Sequence, residues 1–407
     1  MERVPYVIVG GGLAATAAID AIRRRDKTGR LVLVGAEPHL PYDRVPLSKD
    51  YLLGRMEREH VFLRQPRFYE RHRVERFLGQ TATALDTDTN TITLEDGRRI
   101  PFQKLLIATG GRPRRLPIPG ADLDGISYLR TLEDSDALQA GMAKAQRAVV
   151  VGGGFIGCEV ATAFAQSGLQ TTLIEVAPAP LSLVLDVETC AFITSFLSQQ
   201  GIALRTGTAA TRFFGEEGRV QGVVTDSGEN IEADVAVIGV GIAPNTELAA
   251  AAGLSVDNGV VVNEYLEAAE AIYAAGDIAR YYSPTLQRHL RVEHYDVALQ
   301  HGRTAGANMA GARVAYTELP YFFSHLGPLH IDVIGDMSNR QQCVRRGPLS
   351  LEPGFTQFYF ADGLLQAALF VNGKPELLQA ARERIVQQRP VADPAAFADE
   401  ARDLASL

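Results

Sequence analysis

Cysteine is scarce in this sequence. Its three thiols, Cys158, Cys190 and Cys343, form no C-x-x-C pair, and no histidine cluster has metal-ligand spacing. The pattern excludes a disulfide-stapled framework and a cysteine-built metal centre; buried thiols in a reducing compartment are expected, with no metal. Runs of about 18 apolar residues are also missing, so neither a membrane span nor a membrane partner is expected. Met1 leads straight into an apolar strand pattern, without the charged start, apolar stretch and cleavage site of a signal peptide. A cytoplasmic location is therefore expected. Positive charge is not in excess: the formal net charge is −8, which argues against a nucleic-acid partner. The basic clusters Arg23-Arg24-Arg25 and Arg71 to Arg76 read as solvated helix faces.

What is plentiful is glycine, 38 of 407 residues, in a chain long enough for two to four domains at roughly 100–200 residues each. Val4–Val9 is a short apolar run typical of a buried parallel strand, followed by Gly10-Gly11-Gly12, an alanine-rich helix over Leu13–Arg25 and a second buried strand at Leu31–Val34. The same unit recurs from Ala148, with Gly152-Gly153-Gly154, a helix and a strand ending at Glu175; VIVGGGLAA in the first copy answers VVVGGGFIG in the second. Hairpins are expected around Ala82–Leu94 and Asp96-Gly97, further buried strands at Leu105–Ala108, Val235–Ile238 and Ile272–Ala275, and a linker at Pro113, Pro117 and Pro119. Beyond Leu319 the composition shifts to a small α+β pattern: strands at Ile331–Ile334, Thr356–Phe360 and Leu365–Val371, an Asp362-Gly363 hairpin turn and a helix over Glu376–Gln388.

The glycine turns carry the chemistry. In Gly10-x-Gly12-x-x-Ala15, the first glycine permits the tight turn, the second lets backbone approach a pyrophosphate, and a small Ala15 lets helix pack on strand. Free N–H groups at the helix start favour phosphate, and Glu37, at the end of the second strand, is placed to accept from a ribose hydroxyl. Gly152-x-Gly154-x-x-Gly157 with Glu175 repeats these mechanics. A carboxylate at Glu175 favours a free 2′-hydroxyl and repels a 2′-phosphate, and the next residues, Val176 and Ala177, supply no cation. Two such units imply two dinucleotides, FAD and NADH, between which a hydride can pass.

Further motifs follow: Pro41-Tyr42-Asp43-Arg44-Val45-Pro46-Leu47-Ser48-Lys49, Ala108-Thr109-Gly110, Leu129-Arg130-Thr131, Gly239 to Asn245, and Ala275-Gly276-Asp277. With the glycine units, these make the chain resemble the FAD-dependent NADH:ferredoxin and rubredoxin reductases from Val7 to near Leu364, and it looks similar to apoptosis-inducing-factor-type flavoproteins as well. The resemblance implies a glutathione-reductase-like α/β architecture of two Rossmann-like dinucleotide-binding domains plus a C-terminal α+β domain. The FAD domain would be split over 1–112 and 244–318, the NAD domain would span 113–243, and the C-terminal reductase domain 319–407. FAD would be held by Gly10, Gly12, Leu13, Ala14, Ala15, Glu37, Arg44, Ala82, Thr109, Gly110, Arg130, Asp277, Glu293 and His294. NAD would be held by Gly152, Gly154, Phe155, Ile156, Gly157, Glu159, Glu175 and Gly241. Lys49 would reach flavin N5, held by Glu159; Phe155 would cover the flavin where nicotinamide stacks; His294 would sit at the flavin edge.

The reaction implied is hydride transfer from NADH to FAD, then release of electrons to an iron–sulfur carrier, a ferredoxin or rubredoxin, without a redox cysteine. The protein is expected as a monomer or homodimer, with Arg340, Arg345 and Arg346 steering an acidic carrier. The segment Arg291 to Asp296 and the run Ser324-His325-Leu326-Gly327-Pro328 lean toward the apoptosis-inducing-factor type, and the aromatic run Tyr321-Phe322-Phe323 lacks tryptophan. The alternative is therefore an NADH-responsive flavoprotein with slow oxidase activity and a sensing or interaction role. Disulfide reductases and NADH peroxidases need a cysteine after the first βαβ unit, where this chain has Asp43 to Lys49.

Overall fold

The computed structural model describes residues 2–404 and divides into two compact units. The first comprises Met1–Asp43, Arg58–Arg112 and Ile242–Pro320. Its main sheet runs, in spatial order, Glu267–Ala269, Ile272–Ala274, Arg99–Ile107, Val4–Val9, Leu31–Gly35 and Val74–Leu78. Val4–Val9 is the axis, parallel to Leu31–Gly35 (Val7 beside Val32) and to Arg99–Ile107 (Val7 beside Leu105). A strand flanked on both sides and covered on both faces must be apolar throughout, and Val7, Ile8, Val32, Leu105, Leu106 and Ile107 are all fully buried. The helices Leu13–Arg25 and Tyr295–Met309 pack closely enough that a Cβ added to Gly302 would lie 2.2 Å from the Ala14 carbonyl oxygen.

The second unit comprises Arg44–Glu57, Pro113–Gly241 and Tyr321–Leu407. A parallel sheet is ordered Ala203–Thr206, Gln170–Glu175, Arg147–Val151, Val235–Ile238 and Ile126–Ser127, the doubly wound arrangement that places a ligand crevice at the carboxyl ends of its strands. A three-stranded antiparallel sheet, Ala210–Glu216, Arg219–Thr225 and Asn230–Glu232, is added to it. The C-terminal part is a five-stranded antiparallel sheet ordered Tyr321–Leu326, Leu329–Gly335, Leu364–Val371, Phe355–Ala361 and Gln342–Arg346, with the helix Pro375–Gln387. It shares one apolar core with the parallel sheet: Val150, Phe164 and Leu173 cluster with Leu326, Ile331 and Leu369.

The expected α/β class with duplicated nucleotide-binding units and a C-terminal α+β part is the observed one. Among the described residues, no helix is long and apolar enough to cross a membrane, and no group of His, Cys, Asp and Glu is placed to hold a metal ion.

Candidate functional site

In the first unit, Gly10 sits at φ +128, and a Cβ there would fall 2.0 Å from the Ala108 oxygen; only glycine fits this turn. At Gly11 and Gly12 an added Cβ would meet nothing within 4 Å, so space opens directly before the helix Leu13–Arg25. That helix has Gly12 as its N-cap, with no side-chain cap. Its first intrahelical bond runs from Thr16 N–H to the Gly12 oxygen at 3.1 Å, leaving the N–H groups of Leu13, Ala14 and Ala15 ahead of the ladder and aimed at that space. The arrangement fits a dinucleotide pyrophosphate.

Glu37 accepts a short hydrogen bond from the Tyr42 hydroxyl. Ala82 opens the strand Ala82–Asp86, opposite Leu94. Thr109 and Gly110 are clamped by Asn245: its side-chain amide donates to the Thr109 oxygen at 2.9 Å, its backbone N–H donates to the Gly110 oxygen at 2.9 Å, and its carbonyl accepts from Thr109 Oγ1 at 3.0 Å. Asp277 lies in the tight turn Gly276–Ile278. Arg291 ties two of the expected residues together, donating to the Asp277 carbonyl at 3.3 Å and to the Glu293 carboxylate at 2.6 Å. His294 is the N-cap residue of Tyr295–Met309; it keeps some surface exposed, yet its dense surroundings push the imidazole pKa down to about 4 by desolvation, so it is neutral at pH 7.

In the second unit, Gly152 takes φ +110 and Gly154 caps the helix Phe155–Gln166 without a side-chain bond. The first helical bond is Cys158 N–H to the Gly154 oxygen at 2.9 Å, leaving Phe155, Ile156 and Gly157 N–H ahead of it. The Glu175 carboxylate is gripped by the backbone N–H groups of Gly153 and Ala177. Its oxygens are thereby oriented, and open space lies before Gly154; these residues fit a dinucleotide with an unphosphorylated ribose. Gly241, at φ +89, turns the chain after Val235–Ile238.

The segment Arg44–Glu57 is fastened within the same unit. Ser135 Oγ donates to the Leu47 carbonyl at 3.0 Å, the Tyr51 hydroxyl to Asp136 at 2.5 Å, and Arg44 Nη1 to the Arg130 carbonyl at 2.7 Å. These bonds bring Lys49 to Glu159 at 2.7 Å, with side-chain exposures of 17% and 4%. A carboxylate that deep is tolerable only when paired and hydrogen-bonded, and Glu159 also accepts from Ser48 Oγ at 2.6 Å and Ser324 Oγ at 2.7 Å. Phe155 packs edge-on against Phe322, ring centroids 4.8 Å apart. In the same C-terminal sheet His325 stacks on His330 at 4.1 Å; burial first, then the charges of His330 and Lys49, lower its pKa.

Thus the expected FAD-side residues divide between the units: Arg44, Lys49 and Arg130 belong to the second, and the others to the first. The roles of Tyr42, Asn245, Ser48 and Ser324 escaped the sequence reading. All four stand inside the motifs quoted above, but a polar side chain's distant partner is not written in local spacing.

Burial raises all three cysteine thiols above the ordinary thiol range, Cys190 to about 11 and Cys343 to about 12; all are unpaired with another cysteine. The three arginines expected to steer a carrier prove to be anchored. Arg346 is 8% exposed and donates to the Glu400 and Arg402 carbonyls. Arg340 serves the Val184 and Leu185 carbonyls, and Arg345 bonds Glu188. Arg346 is therefore an internal staple rather than a surface charge.

Two family models match: the pyridine nucleotide-disulphide oxidoreductase over residues 4–302 and the reductase C-terminal domain over 321–407. The chain is 36% identical over 387 residues to rhodocoxin reductase of Rhodococcus erythropolis, covering 95% of this chain and 90% of that protein. It is 37% identical over 404 residues to the ferredoxin–NAD(+) reductase component of the anthranilate 1,2-dioxygenase system of Burkholderia cepacia, covering 98% of each. Among solved structures, the covalent putidaredoxin reductase–putidaredoxin complex matches with a TM-score of 0.94 at 33% identity, over 98% of this chain and 97% of that one. A glycine turn before each uncapped helix, an acid at the end of each second strand and matches along nearly the whole length make this chain a member of the pyridine nucleotide-disulphide oxidoreductase family, with a reductase C-terminal domain.

Proposed function

We propose that this chain is an FAD-dependent NADH:ferredoxin reductase that works without a redox-active cysteine. The observation that carries the reading is the buried Lys49–Glu159 pair in a chain whose three thiols are all held protonated. The relatives and the solved complex add support, since their names describe reductases of ferredoxins, rhodocoxin and putidaredoxin.

In this reading 1–112 and 244–318 hold FAD, 113–243 holds NADH, and 319–407 shapes access for a small iron–sulfur carrier. Bound FAD supplies the conversion between a hydride pair from NADH and single electrons for such a carrier. The protein's own residues do the rest. Leu13, Ala14 and Ala15 N–H groups bind pyrophosphate; Glu37 and Glu175 bind ribose hydroxyls; Thr109, Gly110 and Asp277 line the FAD. Lys49 presents a fixed positive charge where negative charge develops on reduction, and Glu159 holds it there; preorganised charge of this kind stabilises the transition state. Phe155 covers the nicotinamide position, and neutral His294 with Glu293 borders the flavin. The setting is the cytoplasm, in keeping with free thiols.

The test is cytochrome c reduction by NADH with purified, FAD-loaded protein, with and without a panel of ferredoxins and rubredoxins. Strong stimulation by a carrier supports the reductase. Slow NADH oxidation that no carrier accelerates, with a long-lived reduced complex, assigns the protein to the apoptosis-inducing-factor-like alternative instead.

A further inference from the structure

One buried titratable group is used by nothing above. His301, on the helix Tyr295–Met309, has no exposed surface. Its neighbours on the buried face of that helix, Val297, Gly302, Ala305 and Gly306, are apolar or small, so an imidazole there calls for a polar reason. The reason visible in the structure is the turn Gly276–Ile278. The Gly276 N–H donates to His301 Nδ1 at 3.3 Å. This turn is tightly bracketed: Gly276 has φ +79, and a Cβ on it would lie 3.2 Å from Ala14 Cβ and 3.7 Å from Ala298 Cβ. Ala275 N–H, just before it, donates to the Ile107 carbonyl at 3.1 Å. The turn thus rests against the strand end, the first turn of the pyrophosphate-facing helix and the helix that carries His301.

The imidazole can accept only while neutral. Its far side is enclosed by two tyrosine rings met edge-on, Tyr281 at 4.6 Å and Tyr316 at 4.4 Å between centroids. Nε2 has no hydrogen-bond partner among the described protein atoms. With Nδ1 accepting, the ring proton belongs on Nε2. Among the described residues, no carboxylate acts on the ring to favour its charged form, and burial pushes the group down to about 3.

We propose that His301 is the positioning residue of the FAD site: through its Nδ1 acceptor it fixes the Gly276 amide and so aims Asp277 at the flavin's polyol chain. The inference rests on the reading of the first unit as the FAD-binding one. A side chain that keeps an acceptor at this place, glutamine, preserves the bond; leucine fills similar volume without an acceptor.

The test is FAD titration of apoprotein, followed by flavin fluorescence quenching and by the visible circular dichroism of the bound cofactor. Wild type and His301→Gln should bind with similar affinity and the same dichroic spectrum. His301→Leu should bind about tenfold more weakly, the worth of one lost hydrogen bond, with an altered spectrum. If wild type itself takes up no FAD, the functional reading fails. If wild type binds and His301→Leu matches it in affinity and spectrum, the positioning role fails while the functional reading stands. Should His301→Leu not fold, the ¹⁵N shifts of histidine in FAD-loaded wild type decide: a proton on Nε2 with Nδ1 unprotonated from pH 5 to 8 supports the proposal, and a proton on Nδ1 overturns it.

Discussion

Glu159 Oε1 stands 2.7 Å from Lys49 Nζ and 2.7 Å from Ser324 Oγ, so one carboxylate oxygen joins a loop from the early chain to a strand of the C-terminal sheet. The other oxygen takes Ser48. Lysine is a flexible point charge; here the carboxylate supplies the direction that its four-carbon stem lacks.

Lys49→Ala should slow flavin reduction at saturating NADH on the order of a hundredfold, the usual scale for removing one preorganised electrostatic contact. NADH affinity should change little, because the contact strengthens in the transition state. Glu159→Ala should give a smaller loss and Ser324→Ala a smaller one still. Stopped-flow absorbance at the flavin band measures all three; an unchanged rate in Lys49→Ala removes the lysine from the site.

NADH should be preferred over NADPH by at least about tenfold in kcat/KM, or 1.4 kcal/mol. The Glu175 carboxylate, held by two backbone N–H groups, cannot swing away from a 2′-phosphate. Glu175→Gln should narrow the gap by relieving repulsion. Equal efficiencies in the native enzyme contradict the assignment.

Cys190→Ala and Cys343→Ser should reduce at the wild-type rate. Neither thiol carries thiolate at pH 7, given pKa values of about 11 and 12, and thiolate is the nucleophilic form. A folded, FAD-loaded variant that no longer accepts electrons from NADH returns the protein to the disulfide-reductase class.

Acid should weaken the fold through His301. Its folded pKa is about 3 against roughly 6.5 unfolded. Above pH 6.5 both states are neutral and no penalty exists. As pH falls below 6.5 the unfolded chain gains the proton first, and stability drops by about 1.4 kcal/mol per pH unit until the folded pKa is reached. At pH 5 this amounts to about 2 kcal/mol, and His294 adds to it in the same direction. Denaturant midpoints at pH 7 and pH 5 measure it; His301→Gln should show the shallower dependence.

The fold was most legible where burial is two-sided. Val4–Val9 and Val235–Ile238 are observed over the residues expected, because a parallel strand with both faces covered is an unbroken apolar run. Asp362 and Gly363, at φ +52 and +73, form the hairpin turn their sequence announces. Arg99–Ile107 begins well before its apolar run at Leu105, since its first half pairs antiparallel with Thr91–Leu94 and is covered on one face. Gln342–Arg346 was invisible as a strand: it is a sheet edge, polar along most of its length. Of the site, the glycine turns and Glu175 could be read from spacing, whereas Lys49, Ser48, Glu159 and Ser324 come from three distant segments. Their placing near one another rested on family resemblance for Lys49 and Glu159, and had no signal at all for the serines.

The sheet of the first unit also sets a timetable for synthesis. Leu105 pairs with Ile272, made 167 residues later, a wait of about ten to thirty seconds at ordinary ribosomal speed. Throughout that interval the fully apolar stretch Leu105–Ile107 has one unpaired edge, the form of strand most prone to join a neighbouring chain. The nascent chain is therefore most vulnerable between the emergence of Ile107 and that of Ile272. Yield should respond to chaperone supply and growth temperature far more than the finished protein's stability implies.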